Sequence, residues 1–520
     1  MKLDRRTLLA ASGISGVALL AACSGGGEDV DLDGGGTGSD GGGGSTEGST
    51  LIAAIAGEPD QLDPHSTTAY FSFQVLENIF DTLVEPDENL EMVGALAEDW
   101  EISEDQLTYT FTLREGITWH DGSEFTADDV IYSYNRIIDD ELANAWRLAA
   151  IESLEAPDAQ TVVITVGAPA PDLLSNLGNF KGLAIVQQAN VDSGDIVTAP
   201  VGTGPFKLDK YTPGDQIALV ANEDFWGGAP ALGGVTFQFI SEGSTAVTAL
   251  QNQEIHWTDS FEPQRVESIE SDDALVLGQV PSNDYWYLAL NCANAPWDTV
   301  EARQGIAYAI DRDAIIQAST QGTAVANQLA IPETSSWYAP YDKYSTDAAK
   351  AQELFDAAGG VDGTTIRFMA TSEYPETVSS AQLIADQLSQ FGITVDITTV
   401  DFATWLAEQN AGNFDLLMMG WLGNIDPSGF YYAQHHSEGA NNRQGYSNPE
   451  VDSLLEAGQT EPDEARRKEI YAEAATIIAD ECSYIYLYNP AVLQAWVPAV
   501  EGYEARGDAA IRFRDTSLSQ

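Results

Sequence analysis

From residue 285 onward the apolar residues switch repeatedly between strand period and helix period. That rhythm restricts the fold more than any other feature of the chain. Tyr285 to Leu290 is an apolar run of strand length. Ala302, Ile306, Ala309 and Ile310 share one helical face. Ala351, Leu354 and Phe355 mark a second helix, with Thr346 as its expected cap and Gly359-Gly360 as its stop. Ile366 to Ala370 reads as a strand. Ile384, Leu388 and Phe391 read as a helix ended by Gly392, and Ile393, Val395 and Ile397 as another strand. Phe414 to Trp421 is a further strand, Ile470 to Ile478 the last long helix, and Tyr484 to Tyr488 a strand after it. Such alternation predicts an open α/β sheet.

The first half is mixed. Leu107, Tyr109, Phe111 and Leu113 alternate with threonines, as in a half-buried strand. Thr126 and Asp129 form a variant capping box ahead of Val130, Ile131, Tyr134, Ile137 and Ile138, which lie at helical spacing. Val162 to Val166, and Val235, Phe237 and Phe239, add strands.

One strand end stands out. After Phe414 to Met419 the chain breaks into Gly420-Trp421-Leu422-Gly423-Asn424-Ile425-Asp426-Pro427 and then Phe430-Tyr431-Tyr432. Gly, Asn and Asp-Pro are turn residues. Aromatic and short polar side chains thus sit on a loop at the end of a core strand, where open α/β sheets bind ligands.

Charge excludes some functions. Lys and Arg number 22 against 81 Asp and Glu, a formal net charge of −59. Nucleic acid is excluded as a partner because nothing here could neutralise phosphates. With 44% hydrophobic residues the chain builds a core and is not a disordered acidic protein. The acid is spread along the chain, which predicts a carboxylate surface kept compact by concentrated salt and a halophilic source, an archaeon. Of the three cysteines, Cys292 and Cys482 read as buried thiols, with a pairing left open.

The N-terminus reads as a targeting segment. Asp4-Arg5-Arg6-Thr7-Leu8-Leu9 looks like a twin-arginine export signal. Ile14 to Ala22 is apolar but too short to span a bilayer of about 30 Å. It ends in Leu20-Ala21-Ala22-Cys23, which resembles a lipoprotein box with Cys23 as the lipidated mature N-terminus. Ser24 to Thr50 is mostly Gly, Ser, Thr, Asp and Glu, a flexible tether with a reach of roughly 30 Å. The body beyond it should sit on the outer face of the cell membrane, anchored by lipid.

An ordered set of motifs carries a resemblance. It runs from Ala95-Leu96-Ala97-Glu98-Asp99-Trp100 through Leu113-Arg114-Glu115-Gly116-Ile117, Trp119-His120-Asp121-Gly122 and Phe125-Thr126-Ala127-Asp128-Asp129-Val130. It continues through Val201-Gly202-Thr203-Gly204-Pro205-Phe206, Asn222-Glu223-Asp224-Phe225-Trp226, Ala309-Ile310-Asp311-Arg312, Asp426-Pro427 and Asn448-Pro449-Glu450-Val451-Asp452. The chain resembles the solute-binding proteins of ABC importers in the oligopeptide/dipeptide/nickel class, family 5.

The resemblance implies a two-lobed α/β clamshell, like periplasmic binding proteins, with an extra subdomain in the first lobe. The expected divisions are signal 1–23, tether 24–50, lobe I 51–280 with the subdomain at about 82–190, lobe II 281–489, and a return to lobe I over 490–520. Hinge crossings are expected near Gln279 to Asp284 and Asn489 to Gln494. The implied function is that of a monomeric, lipid-anchored receptor. It would capture a peptide or other small polar solute by closure and hand it to a membrane permease. A sensory binding protein, or an extracellular hydrolase, are the alternatives. No nucleophile elbow, zinc motif or Ser/His/Asp order points to an enzyme.

The same family implies site residues. Peptide-binding members hold the α-amino group with an Asp in the loop after the Trp-Xaa-Gly turn; here that position is Asn424, with Asp426 next in line. The Arg that dipeptide binders use for the carboxylate has no equivalent around Thr371 to Glu376. Tyr70, Tyr285, Trp286 and Trp421 are the expected stacking faces. His120 and Gly202-Thr203-Gly204 are read as structural turns, and Asp63-Pro64-His65 as a loop close to the cleft. Neither a metal nor a cofactor is expected, since His435 and His436 are adjacent and lack a third ligand.

Overall fold

The computed structural model describes residues 49–519, except 373 and 422–424. Cys23, the export signal, almost all of the tether, and Asn424 lie outside the described residues. Among the described residues no helix is long and apolar enough to cross a membrane.

Two large sheets form the two lobes. The first has seven strands. Its centre is Thr50–Ile55, flanked in parallel by Gly234–Phe239 and by the short Trp257–Thr258. Leu51, Ala53 and Ile55 bury into a core shared with Phe237, Trp257 and Phe513. The second sheet has six strands, with Tyr285–Leu290 antiparallel to both Leu416–Trp421 and Tyr484–Asn489. Thr365–Thr371 joins it in parallel with Thr394–Val400. Both faces of this sheet are covered. One carries Leu288, Ile306, Phe355 and Ile384; the other carries Tyr285, Tyr287, Phe430 and Tyr486.

A separate four-stranded antiparallel sheet, Ala97–Ile102, Thr108–Leu113, Ile151–Asp158 and Thr161–Val166, has its own core running from Leu83 to Ile185. The helix Ala127–Asp139 covers it and opens with the capping box, the Thr126 N–H donating to Asp129 Oδ2 at 2.9 Å. Arg136 on this helix donates to both oxygens of Asp63, and His65 Nε2 lies 2.7 Å from the Ala184 carbonyl. Asp63 and His65 therefore tie the subdomain down.

The chain leaves the first sheet after Val276–Pro281 and re-enters it through Ala491–Trp496, two strands that pair antiparallel. The crossings are clamped side by side. The Ser282 N–H donates to the Pro490 carbonyl at 2.9 Å, and Asn489 Nδ2 donates to the Asp284 carbonyl at 2.8 Å. Two short crossings side by side are the geometry that a hinge motion uses.

One cap differs from expectation. The helix Ala348–Ala357 is capped by Asp347, whose side chain accepts from the Lys350 N–H. Thr346 instead donates to the Ile310 carbonyl at 3.0 Å. A carboxylate one residue on satisfies the orphan N–H better than the hydroxyl.

Candidate functional site

Two faces of the molecule meet around the loop after Leu416–Trp421, and three cavities surround it. The one nearest the hinge has a volume of 530 Å³. It is bounded by Tyr70 and Phe73, by Asp259 and Phe261, by the crossings at Asn283 and Pro490, and by Ile425 from the second lobe. A second, of 410 Å³, lies between Trp100 and Tyr109 of the subdomain and Trp337, Asp426 and Arg467. The third, of 1120 Å³, lies between Trp146, Arg147 and Asp172 on one side and Trp421, Ser428 and Tyr432 on the other. Volumes of a few hundred to a thousand cubic ångströms suit small solutes and short peptides.

Tyr70 stands on the helix Tyr70–Leu76 and is 39% exposed. Its ring faces the hinge cavity and its hydroxyl donates to Asp259 Oδ2 at 3.4 Å. Gln74, one turn on, donates to the same oxygen at 2.5 Å. Asp259 follows Trp257–Thr258 at the carboxyl end of a strand of the first sheet, the position where α/β sheets place ligand-facing residues. Burial pushes its carboxyl up to about 6, against the pull of the Gln74 and Tyr70 hydrogen bonds.

Trp421 is half-buried at the end of its strand and faces the largest cavity. Trp286 is half-buried too, but it packs flat on Gly420. A Cβ on that glycine would lie 2.8 Å from the indole Cε2. Tyr488 stacks on Trp286 and Tyr374 meets it edge-on.

Tyr285 corrects the expectation. It is 1% exposed, and its hydroxyl donates to Gln434 Oε1 at 2.7 Å. Successive strand residues point to opposite faces, and Tyr285 shares the buried side with Tyr287, Phe430 and Tyr486. It is core, not a stacking face.

Asp426 is also committed elsewhere. Arg467 donates to its two oxygens at 2.5 and 2.7 Å, and the Ser428 N–H donates to Oδ1 at 2.9 Å. Arg467 is buried, donates Nε to the Gly458 carbonyl at 2.7 Å, and lies between the rings of Trp337 and Tyr471. Asp426 thus anchors the loop and caps its 3₁₀ turn. A carboxylate bound bidentately by a buried guanidinium has little left for a solute ammonium.

The loop does reach across the cleft. Ser428 Oγ donates to Asp172 Oδ2 at 3.0 Å, joining the second lobe to the subdomain. Burial, and then the neighbouring Asp426, hold the Asp172 carboxyl above its usual range.

The remaining polar motifs are structural. His120 Nε2 lies 2.9 Å from the Gly204 carbonyl, and its Nδ1 accepts the Gly202 N–H at 3.2 Å. Burial lowers its pKa to about 4. A Cβ on Gly202 would lie 1.9 Å from the Ile79 carbonyl oxygen, so the turn is needed for close backbone packing. His435 is buried between Ser483 Oγ and Tyr486 OH, each at 2.9 Å, and His436 meets Glu456 at 3.3 Å. The two rings meet different partners. Cys292 and Cys482 are free thiols, and burial raises both, Cys482 to about 11.

Sequence reasoning missed Asp259, Gln74, Asp172 and Ser428. Trp257–Thr258 is too short a strand to show periodicity.

The family described as "Bacterial extracellular solute-binding proteins, family 5 Middle" matches residues 91–442. A dipeptide-binding protein of Escherichia coli K12 is 27% identical over 516 residues, covering 91% of this chain and 95% of that protein. A glutathione-binding protein, GsiB, of Pectobacterium atrosepticum is 26% identical over 483 residues, covering 90% of this chain and 94% of its own length. Among solved structures, the periplasmic binding protein DppA from Helicobacter pylori, in complex with the peptide STSA, superposes with a TM-score of 0.76. It is 28% identical and covers 91% of this chain and 98% of its own.

Proposed function

The chain belongs to the extracellular solute-binding proteins of family 5, and from that premise we propose that it captures a short peptide or peptide-like solute between its lobes and delivers it to the permease of an ABC importer. The observation that carries this reading is the 530 Å³ cavity beside the double crossing, bounded by both lobes and by the hinge itself. A solute there touches every body that moves on closure, so its binding energy favours the closed form. The names of the relatives, dipeptide- and glutathione-binding, support a peptide-like solute.

The receptor is held at the outer membrane face by lipid on Cys23, after twin-arginine export, and acts as a monomer. The motif order Arg5-Arg6, apolar stretch, Leu20-Ala21-Ala22-Cys23 and Gly-rich tether supports that anchoring. The halophilic source follows from the charge of −59. It is a receptor and not an enzyme, as its relatives are binding proteins.

Native mass spectrometry of protein purified from its own host in concentrated salt tests the reading. A co-purified peptide of a few residues is expected. A lone sugar or metal complex would remove the peptide assignment, and turnover of a candidate peptide by the pure protein would remove the receptor assignment.

A further inference from the structure

We propose that the hinge cavity selects a solute bearing an ammonium or guanidinium group, and that Asp259 on the first lobe, not the loop of the second lobe, is the anion that receives it. This rests on the solute-receptor reading and adds the charge of the solute and the place where that charge is held.

Glu77, Asp259, Asp284 and Asp508 line the cavity, and Asp508, Glu77 and Asp259 differ in what they meet. Asp508 is held by Arg506, with contacts of 3.0 and 2.8 Å. Glu77 lies 3.9 Å from the Arg512 guanidinium and accepts the Ile511 N–H. Arg512 itself donates to Glu85 at 2.7 Å. Asp259 meets only neutral donors, the Gln74 amide and the Tyr70 hydroxyl, and forms no ion pair among the described residues. A recessed carboxylate without a counter-charge either takes a proton or takes a cation. Its carboxyl standing near 6 agrees with the absence of a protein cation.

A second observation points to a ligand in the same cavity. Gln494 is fully buried and Asn283 is 7% exposed, and both line it. Gln494 Nε2 and Asn283 Oδ1 have no hydrogen-bond partner among the described residues. Buried polar atoms are nearly always paired. One free donor and one free acceptor, in a cavity that also holds an unneutralised carboxylate, match a solute with a cationic end and an amide or carboxylate beyond it. The second lobe offers no rival anion at Asp426, whose oxygens Arg467 occupies.

The test is calorimetry on the full chain in concentrated salt with a fixed panel: tri-alanine, N-acetyl-tri-alanine, agmatine, spermidine, maltose and citrate. The wild-type chain should bind the ammonium- and guanidinium-bearing probes and neither maltose nor citrate, with tri-alanine at least about tenfold tighter than its acetylated form, as loss of a charge-assisted contact requires. Asp259→Asn should erase that preference while leaving the circular dichroism unchanged. If Asp259→Asn does not fold, the free-against-acetylated comparison on the wild-type chain decides cation selection, and Asp259→Ser takes the place of Asp259→Asn in deciding the role of Asp259. Equal binding of the two tri-alanines, or binding of maltose or citrate, overturns cation selection and leaves the receptor reading standing. A preference for free tri-alanine that survives Asp259→Asn overturns the role of Asp259. Silence across the whole panel overturns both.

Discussion

Arg467 and Asp426 meet in a bidentate ion pair, at 2.5 and 2.7 Å, that fastens the loop of the second lobe to the helix Glu464–Asp480. The arginine is 2% exposed. Removing the carboxylate would strand a buried guanidinium, which typically costs about 3–5 kcal/mol. Asp426→Ala is therefore expected to lower the unfolding free energy by about that amount in a denaturant titration in concentrated salt. A ligand-holding Asp would behave oppositely, losing affinity while keeping stability. Unchanged stability with lost affinity would reverse the assignment of Asp426 as an anchor.

Ser428 and Asp172 make a polar contact of this loop across the cleft. It forms only where the subdomain and the second lobe approach, so it adds to the closed form. A hydrogen bond to a charged group contributes about 1.5 kcal/mol or more, so Ser428→Ala should weaken solute affinity about tenfold. The loss should appear as faster dissociation, because closure follows encounter. Stopped-flow release of bound solute measures it. A variant that releases solute at the wild-type rate would mean that the contact contributes nothing to closure.

The fold was far more legible than the site. Tyr285–Leu290 was readable to the residue because a run of large apolar side chains between turns has few other homes. The same run concealed which side looks outward. Helices cover both faces of its sheet, so Tyr285 and Trp286 look equally apolar in sequence, yet one is core and the other packs on Gly420. Asp426 was visible as a polar residue at a strand end, but its partner Arg467 lies 41 residues away, and no local pattern links the two. Asp259 carried no periodic signal, because its strand has two residues. Strands and helices are written in neighbours; a cleft is written in distant pairs.

His435 makes an acid-sensitive core. It is fully buried, and burial lowers its pKa to about 3. The unfolded chain takes its proton near pH 6.5, so the folded form gains stability above that value and loses it as pH falls through the window from 6.5 toward 3. Each pH unit inside the window removes about 1.4 kcal/mol. His435→Gln should be less stable than wild type at pH 7, through its contacts to Ser483 and Tyr486. The gap should narrow by about 2 kcal/mol by pH 5, since the variant has no proton to take. Denaturant titrations of both chains at the two pH values decide it, and a constant gap would place the acid sensitivity elsewhere.

Salt is the last variable. With 81 acidic side chains and 22 lysines and arginines, most carboxylates have no cation to meet even if every base were paired. Several of the bases are spent inside, Arg467 on Asp426 and Arg136 on Asp63 among them, so the surface is more acidic than the whole. Like charges at this density repel over the screening length, which grows from about 3 Å at 1 M salt to about 10 Å at 0.1 M. Compaction is then opposed by the protein's own field. Dilution of potassium chloride from about 1 M to about 0.1 M should lower Tm by about 3 °C or more, a loss of a few kcal/mol for a chain of this size. The buried pairs are screened little, so the Asp426→Ala penalty should stay nearly constant across the same range while the wild-type Tm moves. A Tm indifferent to salt would show that the surface charge is neutralised within the protein and would remove the argument for a halophilic source.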